Sequence, residues 1–372
     1  MLTATVFYLA SLAQDPLRDL GHYEVDSKLQ LHAVASRTLT WLTGTAEDND
    51  YISVGRYANF FGFVKFRVAS GHSLSRSGAG QETWSVLNPE QRAILVETLS
   101  NQEQDFSAVW RRRIDMNRAL ESMILGESVT RGDFLALGAD YGKAEAELGA
   151  TIAAGLGRIA VDLDEQQKSQ LVAMRGRYLS GSGGEFRLDK RSSGLPKLEK
   201  ADKQELLNLS SRLLTWTTGA PQDNDFETVG KPSQHFGFVS LRVSSGHSVR
   251  RGNVAREVLA LLDKDQERTL RDYVQEEAYL FQRFLDRRAL LLRELEKALT
   301  GEELDRKKIA ELGRAVGEVE AEMTLGQAHA ILEVRERLSA EQSENLLAMR
   351  AKYVPVTAAE EGEEWTSEEV PS

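Results

Sequence analysis

Two short clusters of side chains have the types and spacing to hold a cation. Asp48 and Asp50 flank Asn49, with His72 further along; Asp223, Asp225 and His247 repeat the pattern. Carboxylates at i and i+2 in a loop offer oxygen ligands to a hard divalent ion. An imidazole brought beside them would suit zinc or another transition metal. The same residues have a plainer use, because Asp and Asn side chains bond the local backbone and build turns. Gly71-His72 and Gly246-His247, each before a Ser, also read as turn or helix-entry signals. The residue types leave both readings open, and the cofactor they could imply is a divalent metal ion.

Other chemistry finds less support. Ser-Gly-His-Ser occurs twice, at Ser70–Ser73 and Ser245–Ser248. Neighbours in sequence cannot form a triad by themselves, and no G-x-S-x-G elbow or phosphate-binding glycine loop is present. A carboxylate di-metal site in a helical bundle needs Glu-x-x-His spacing; Glu322 and His329 are seven apart. An enzyme would have to use the same loop residues as the cation site. The chain has no cysteine, which excludes disulfides, zinc–thiolate sites and thiol catalysis. A net charge of −11 over 372 residues argues against nucleic acid as a main partner, since phosphate binding requires a basic surface.

The two clusters sit in two copies of one stretch, Trp41–Gly78 and Trp216–Gly252, related without a gap by an offset of 175 residues. The offset holds on to Tyr178 and Tyr353. A tandem duplication follows, with unit 1 over 28–178 and unit 2 over 203–353, each of about 150 residues and large enough for a core. A Gly/Ser-rich charged linker over 179–202 permits almost any relative packing of the units. The acidic tail, 354–372, reads as disordered. Met1–Ala13 is an apolar run ending in Ser-Leu-Ala, a small-x-small form. Though it lacks a basic start, it reads as a signal peptide too short to span a membrane and predicts a periplasmic or secreted protein.

Helical periodicity dominates each unit. A short helix is expected over 28–43 and over 203–217. A long one over 88–125 carries the stripe Leu95, Leu99, Phe106, Val109, Met116, Leu120 and Met123. A second long helix spans roughly 131–160 (306–336 in unit 2), and shorter helices close the units over 164–178 and 339–353. Gly126 and Gly301 are natural stops for the first long helix. The stripe is interrupted at Gln102/Glu277 and Arg113/Arg288. An arginine there must pair with an acid or reach water, and Glu145, Glu147, Glu320 and Glu322 on the returning helix are the candidates. Arg67 and Arg242 also recur, and an ion pair of Arg67 with Asp48 or Asp50 is the simplest account. The FGFVKFRV and FGFVSLRV segments are β-prone and allow a short strand.

Four helix starts share a pattern: Leu87-Asn-Pro-Glu-Gln91, Leu163-Asp-Glu-Gln-Gln167, Leu262-Asp-Lys-Asp-Gln266 and Leu338-Ser-Ala-Glu-Gln342. Asn88, Asp164, Asp263 and Ser339 are N-caps, and the Gln three residues later can bond back to the cap, making a capping box. The leading Leu finds no apolar partner at the staple position, so it should enter the core. This arrangement of motif, long helix, returning helix and second motif resembles the LTxxQ family of periplasmic proteins, the Spy and CpxP group with its ZraP-like metal-binding relatives. The resemblance covers residues 86–178 and 261–353 and is closest over Leu299–Tyr353. It implies an all-helical hairpin that dimerises, presents a concave face to unfolded proteins without ATP, and in some members binds metal. Two units in one chain would then make a pseudo-dimer, and a homodimer is also open.

The expectations are therefore a mainly α fold of two helical-hairpin units, each with an aromatic and Gly-rich loop region, and a non-enzymatic exported function. Its partner would be an unfolded or other protein. The alternative is a metal- or ligand-binding protein using Asp48, Asp50, His72, Asp223, Asp225 and His247.

Overall fold

The computed structural model describes residues 27–45, 77–179, 195–219, 242 and 252–353. Regular structure among the described residues is helical throughout, in agreement with the mainly α expectation. Ten α-helices follow in order: α1 (Ser27–Thr43), α2 (Ser77–Val86), α3 (Pro89–Ile124), α4 (Arg131–Asp162), α5 (Glu165–Leu179), α6 (Lys200–Thr218), α7 (Gly252–Leu261), α8 (Lys264–Glu296), α9 (Arg306–Glu336) and α10 (Ala340–Tyr353). A 3-10 turn, Lys297–Thr300, extends α8. Helices α6–α10 follow α1–α5 at the 175-residue offset. The apolar N-terminal run, the FGFV segments apart from Arg242, linker residues 180–194 and the acidic tail lie outside the described residues.

Local chemistry sets the helix ends. Pro89 stands at the first position of α3, where a missing N–H is harmless. Gly126 and Gly301 turn the chain with φ of 85° and 78°, a left-handed conformation that costs glycine nothing. Every stripe residue of α3 is buried, as are Leu270, Val274, Phe281, Phe284, Leu291 and Leu295 of α8. Two helices escape the sequence reading. Helices α2 and α7 begin on Ser-Gly-Ala-Gly and Gly-Asn, residues that signal turns rather than helices. Helix α6 begins at Lys200, and Leu195 and Leu198 before it pack against the core. The last part of the expected free linker is thus docked.

The centre of the molecule is the antiparallel crossing of α4 and α9. Glycines let the two backbones touch. A Cβ at Gly142 would lie 2.2 Å from the Gly313 carbonyl oxygen, and one at Gly317 would lie 2.1 Å from that of Gly138. Gly138 faces Ala321, and Gly313 faces Ala146. Each of these pairs maps onto the other under the 175-residue offset, so a pseudo-twofold axis passes through the Gly142–Gly317 contact. Arg131 of α4 pairs with Glu322 of α9, and Arg306 of α9 bonds the Glu147 carbonyl of α4; these two contacts are equivalent as well.

The units are not packed as the sequence divides them. Helix α6, from the second repeat, lies on α2, α3, α4 and α5 of the first. Helix α1, from the first repeat, lies on α7, α8, α9 and α10 of the second. Each repeat lends its first helix to the other's hairpin. Neither repeat closes its core alone, which departs from the expectation of two self-sufficient units.

Candidate functional site

The capping motifs form the first polar feature, and all four boxes are made. In the first hairpin, Gln91 N donates to Asn88 Oδ1 at 2.8 Å and Asn88 N donates to Gln91 Oε1 at 3.0 Å. Asp164 and Gln167 do the same at the start of α5, as do Asp263 with Gln266 and Ser339 with Gln342. The boxes also meet in pairs. Gln91 Nε2 donates to Gln167 Oε1 at 3.1 Å and Gln167 Nε2 donates to Gln91 Oε1 at 2.7 Å. Gln266 and Gln342 repeat the exchange at 3.1 and 2.8 Å. The leading leucines enter the core at Leu87, Leu163 and Leu262, with Leu338 half-buried.

A buried charged group lies one turn beyond the glycine crossing. Arg113 of α3, Tyr141 and Glu145 of α4 and Glu320 of α9 are each at most 3% exposed. Burial lowers the affinity of Arg113 for its proton, while Tyr141, Glu145 and Glu320 beside it hold that affinity up. Burial pushes the Glu320 carboxyl well above the usual carboxylate range, with Arg113 pulling it back. Tyr141 is raised by burial and then by Glu145, which its hydroxyl meets. Of the four acids expected to face the stripe arginines, Glu145 and Glu320 stand beside Arg113. Glu147 pairs with Lys143 at the surface, and Glu322 with Arg131 and Arg283. Their side chains stand on the outward face of α4 and α9, two positions on from the buried acids. A buried charge group of this kind adds little net stability, since desolvation offsets attraction. It penalises any register that strands one of its members.

The two exchanged helices sit in seats of unlike chemistry. In the seat of α6, Gln102 Nε2 and Arg212 Nη1 donate to Glu205 Oε1 at 3.2 and 3.4 Å, and Asn208 Nδ2 donates to Oε2 at 3.4 Å. Burial raises the Glu205 carboxyl, and these donors oppose the rise. In the seat of α1 the acid has changed sides, because Gln102 corresponds to Glu277 of α8. Arg37 Nη1 donates to Gln327 Oε1 at 2.8 Å. Tyr273 donates to the Met323 carbonyl at 3.1 Å, and it is raised by burial and by Glu277, with Arg37 opposing. The apolar sides differ too. Leu207, Leu209 and Leu213 of α6 stand where α1 has His32, Val34 and Thr38. Against these, Ala33 and Ala35 of α1 stand where α6 has Asn208 and Ser210.

Arg242 ties α1 in place. Its Nη2 is 2.6 Å from Glu121 Oε2 near the end of α3, and its Nη1 donates to the Trp41 and Gly44 carbonyls at 3.1 and 2.7 Å. Arg350 of α10 donates to the Arg242 carbonyl at 3.1 Å. Arg242 has φ of 55°, a left-handed conformation costing a non-glycine residue roughly 1–2 kcal/mol. The pair expected between Arg67 and Asp48 or Asp50 lies outside the described residues; its repeat counterpart Arg242 reaches Glu121, a residue of the other repeat. Gly138/Gly142 and Gly313/Gly317, each pair one helical turn apart, were an available signal for the crossing.

The candidate cation ligands Asp48, Asp50, His72, Asp223, Asp225 and His247 lie outside the described residues, as do both Ser-Gly-His-Ser sequences. Among the described residues, no group of three or more His, Cys, Asp or Glu is gathered to hold a metal ion. No described helix is long and apolar enough to cross a membrane. The described fold and sites define an all-helical protein with reciprocally exchanged first helices. No protein family, curated protein or solved structure matches the chain.

Proposed function

We propose that this protein is an exported, non-catalytic helical protein of the Spy/CpxP-like kind, which holds partner polypeptides without nucleotide hydrolysis. The observation that carries the reading is the set of four Leu-cap-x-x-Gln helix starts, whose glutamines bind each other in two pairs. These are the residues on which the resemblance rests, and here they join each first long helix to the closing helix of its own hairpin. The pseudo-twofold arrangement of two hairpins is the intrachain counterpart of the dimer that the resemblance implies.

The test is light scattering of reduced α-lactalbumin in the presence of the purified chain, without ATP. Suppression at a one-to-one ratio is expected. Unchanged aggregation at a fivefold excess of the chain would remove the reading. Export has its own check. Cleavage after Ala13 leaves Gln14 as the first residue of protein recovered from the envelope, and recovery of the protein in the cytoplasmic fraction with residues 1–13 intact would overturn it.

A further inference from the structure

The two exchanged helices are equivalent in sequence position and unequal in how they are held. The apolar residues of α6, Leu206, Leu209, Leu213 and Leu214, are continuous with the main core. Most of those of α1, Leu31, Val34, Ala35 and Leu39, belong to a separate smaller cluster with Val254, Val258, Leu270, Val274 and Val334, and Trp41 in its last turn joins the main core. Backbone contact differs as well. A Cβ at Gly80 would lie 2.0 Å from the Leu207 carbonyl oxygen, so α2 and α6 touch directly. The corresponding residue in α7 is Ala255, whose methyl rules out so close an approach to α1. The buried hydroxyls of α1 find acceptors within their own helix, Ser36 on the His32 carbonyl, Thr38 on that of Val34 and Thr40 on that of Arg37, as do Ser210, Ser211 and Thr215 in α6. Withdrawing α1 therefore strands none of these donors. Its far end is fastened by Trp41, buried in the main core, and by Arg242, a residue in a strained conformation.

We propose that α1 is a displaceable internal ligand, and that its seat on α7–α10 takes an amphipathic helix of a client protein in its place. The inference rests on the holding function proposed above and names its site and client class. The seat states what the client helix must carry. Apolar residues at the spacing of Leu31, Val34, Ala35 and Leu39 meet the valines and leucines of the groove, the helix-in-groove mode of recognition. An arginine at the position of Arg37 donates to the buried Gln327 Oε1 of the seat. Displacement breaks the contact of Arg242 with the α1 carbonyls and leaves its pair with Glu121 intact.

Two measurements on the full chain decide the matter. In native-state hydrogen exchange, α1 amides should open about 100-fold more readily than α6 amides. Arg242→Ala should raise the α1 rates further and leave those of α6 unchanged. Equal exchange in α1 and α6 overturns the proposal. The second measurement is fluorescence anisotropy of a labelled peptide of residues 27–43. It should bind Arg242→Ala saturably and at least tenfold more tightly than the parent chain, and a peptide carrying Val34→Asp and Leu39→Asp should not compete. An Arg37→Glu peptide should lose at least tenfold. Failure of the parent peptide to bind a variant of native helicity overturns the proposal. A concentration-dependent dimer of Arg242→Ala that excludes the peptide overturns it too, because a second copy's α1 would then be the occupant. Aggregation assays that fail while both measurements succeed would remove the holding function and leave the displaceable helix standing.

Discussion

Gln91 and Gln167 use every hydrogen-bonding position of their two carboxamides on each other, on the backbone around them and on the Asp162 side chain. Each Oε1 accepts from its own cap N–H and from the other's Nε2. The remaining donor capacity goes to the Asp162 carbonyl and side chain from Gln91 and to the Val86 carbonyl from Gln167. The pair therefore has one amide orientation, and a capping motif that would be local elsewhere locks two helix starts together.

Gln167→Glu tests this directly. A carboxylate keeps the cap bond and loses both donors, and it faces the Val86 carbonyl and Gln91 Oε1 as an acceptor against acceptors. Urea unfolding at pH 7 should show a loss of roughly 2–3 kcal/mol. Part of the loss should return on acidification as the carboxyl protonates. Gln342→Glu should behave alike in the second hairpin.

Glycine substitutions should change sign with position. Gly176 in α5 has open space where a Cβ would go, so Gly176→Ala should stabilise by about 0.5–1 kcal/mol through helix propensity. Gly142→Ala gains the same propensity and drives a methyl into the Gly313 carbonyl. A net loss of about 2 kcal/mol or more is expected, read from thermal or urea unfolding. Stabilisation by Gly142→Ala would mean that α4 and α9 do not approach as described.

Cutting the chain between the repeats should leave the particle whole. A protease site inserted at Gly183-Gly184 and cleaved to completion should give two fragments that elute together at the mass of the 41.4 kDa parent. The reason is that α1 and α6 are each buried in the opposite half. Fragments that separate in native buffer would contradict the helix exchange.

Glu320 sets a pH dependence whose sign follows from burial. Its folded-state carboxyl is raised above the ordinary value, principally by desolvation. The stability it contributes is fully present below its unfolded pKa, about 4.3, and is lost as pH rises through the folded value. Glu320→Gln removes that dependence. The variant should gain stability relative to the parent as pH is raised from 4.5 to 8, with the difference levelling off above the folded pKa. A constant difference across that range would show that Glu320 does not titrate in the folded protein as its burial requires.

Much of the helical framework was legible. The period of Leu95 to Met123 fixes a face, and the capping glutamines fix starts within one or two residues, because both signals are local. The stripe position of Arg113 demanded acids, and Glu145 and Glu320 answered. The exchange of α1 and α6 was not legible, and duplication is the reason. Periodicity says which face of α1 is apolar and never which partner it meets. When two repeats offer nearly the same seat, the internal and the exchanged pairing read alike in sequence. Helices α2 and α7 were hidden by their Gly, Ser and Asn starts, where packing against α6 and α1 overrides weak propensity. The six candidate cation ligands stand beyond what the described residues address.

The exchange also orders events during synthesis. Helix α1 is the first described helix to be made, and its seat is finished only when α10 is complete, some three hundred residues later. At roughly 5–20 residues per second, α1 waits on the order of tens of seconds for a home. Through that interval its apolar face and the unfinished first half must be kept from pairing wrongly, and a nascent chain stalled before α7 has nowhere to put α1.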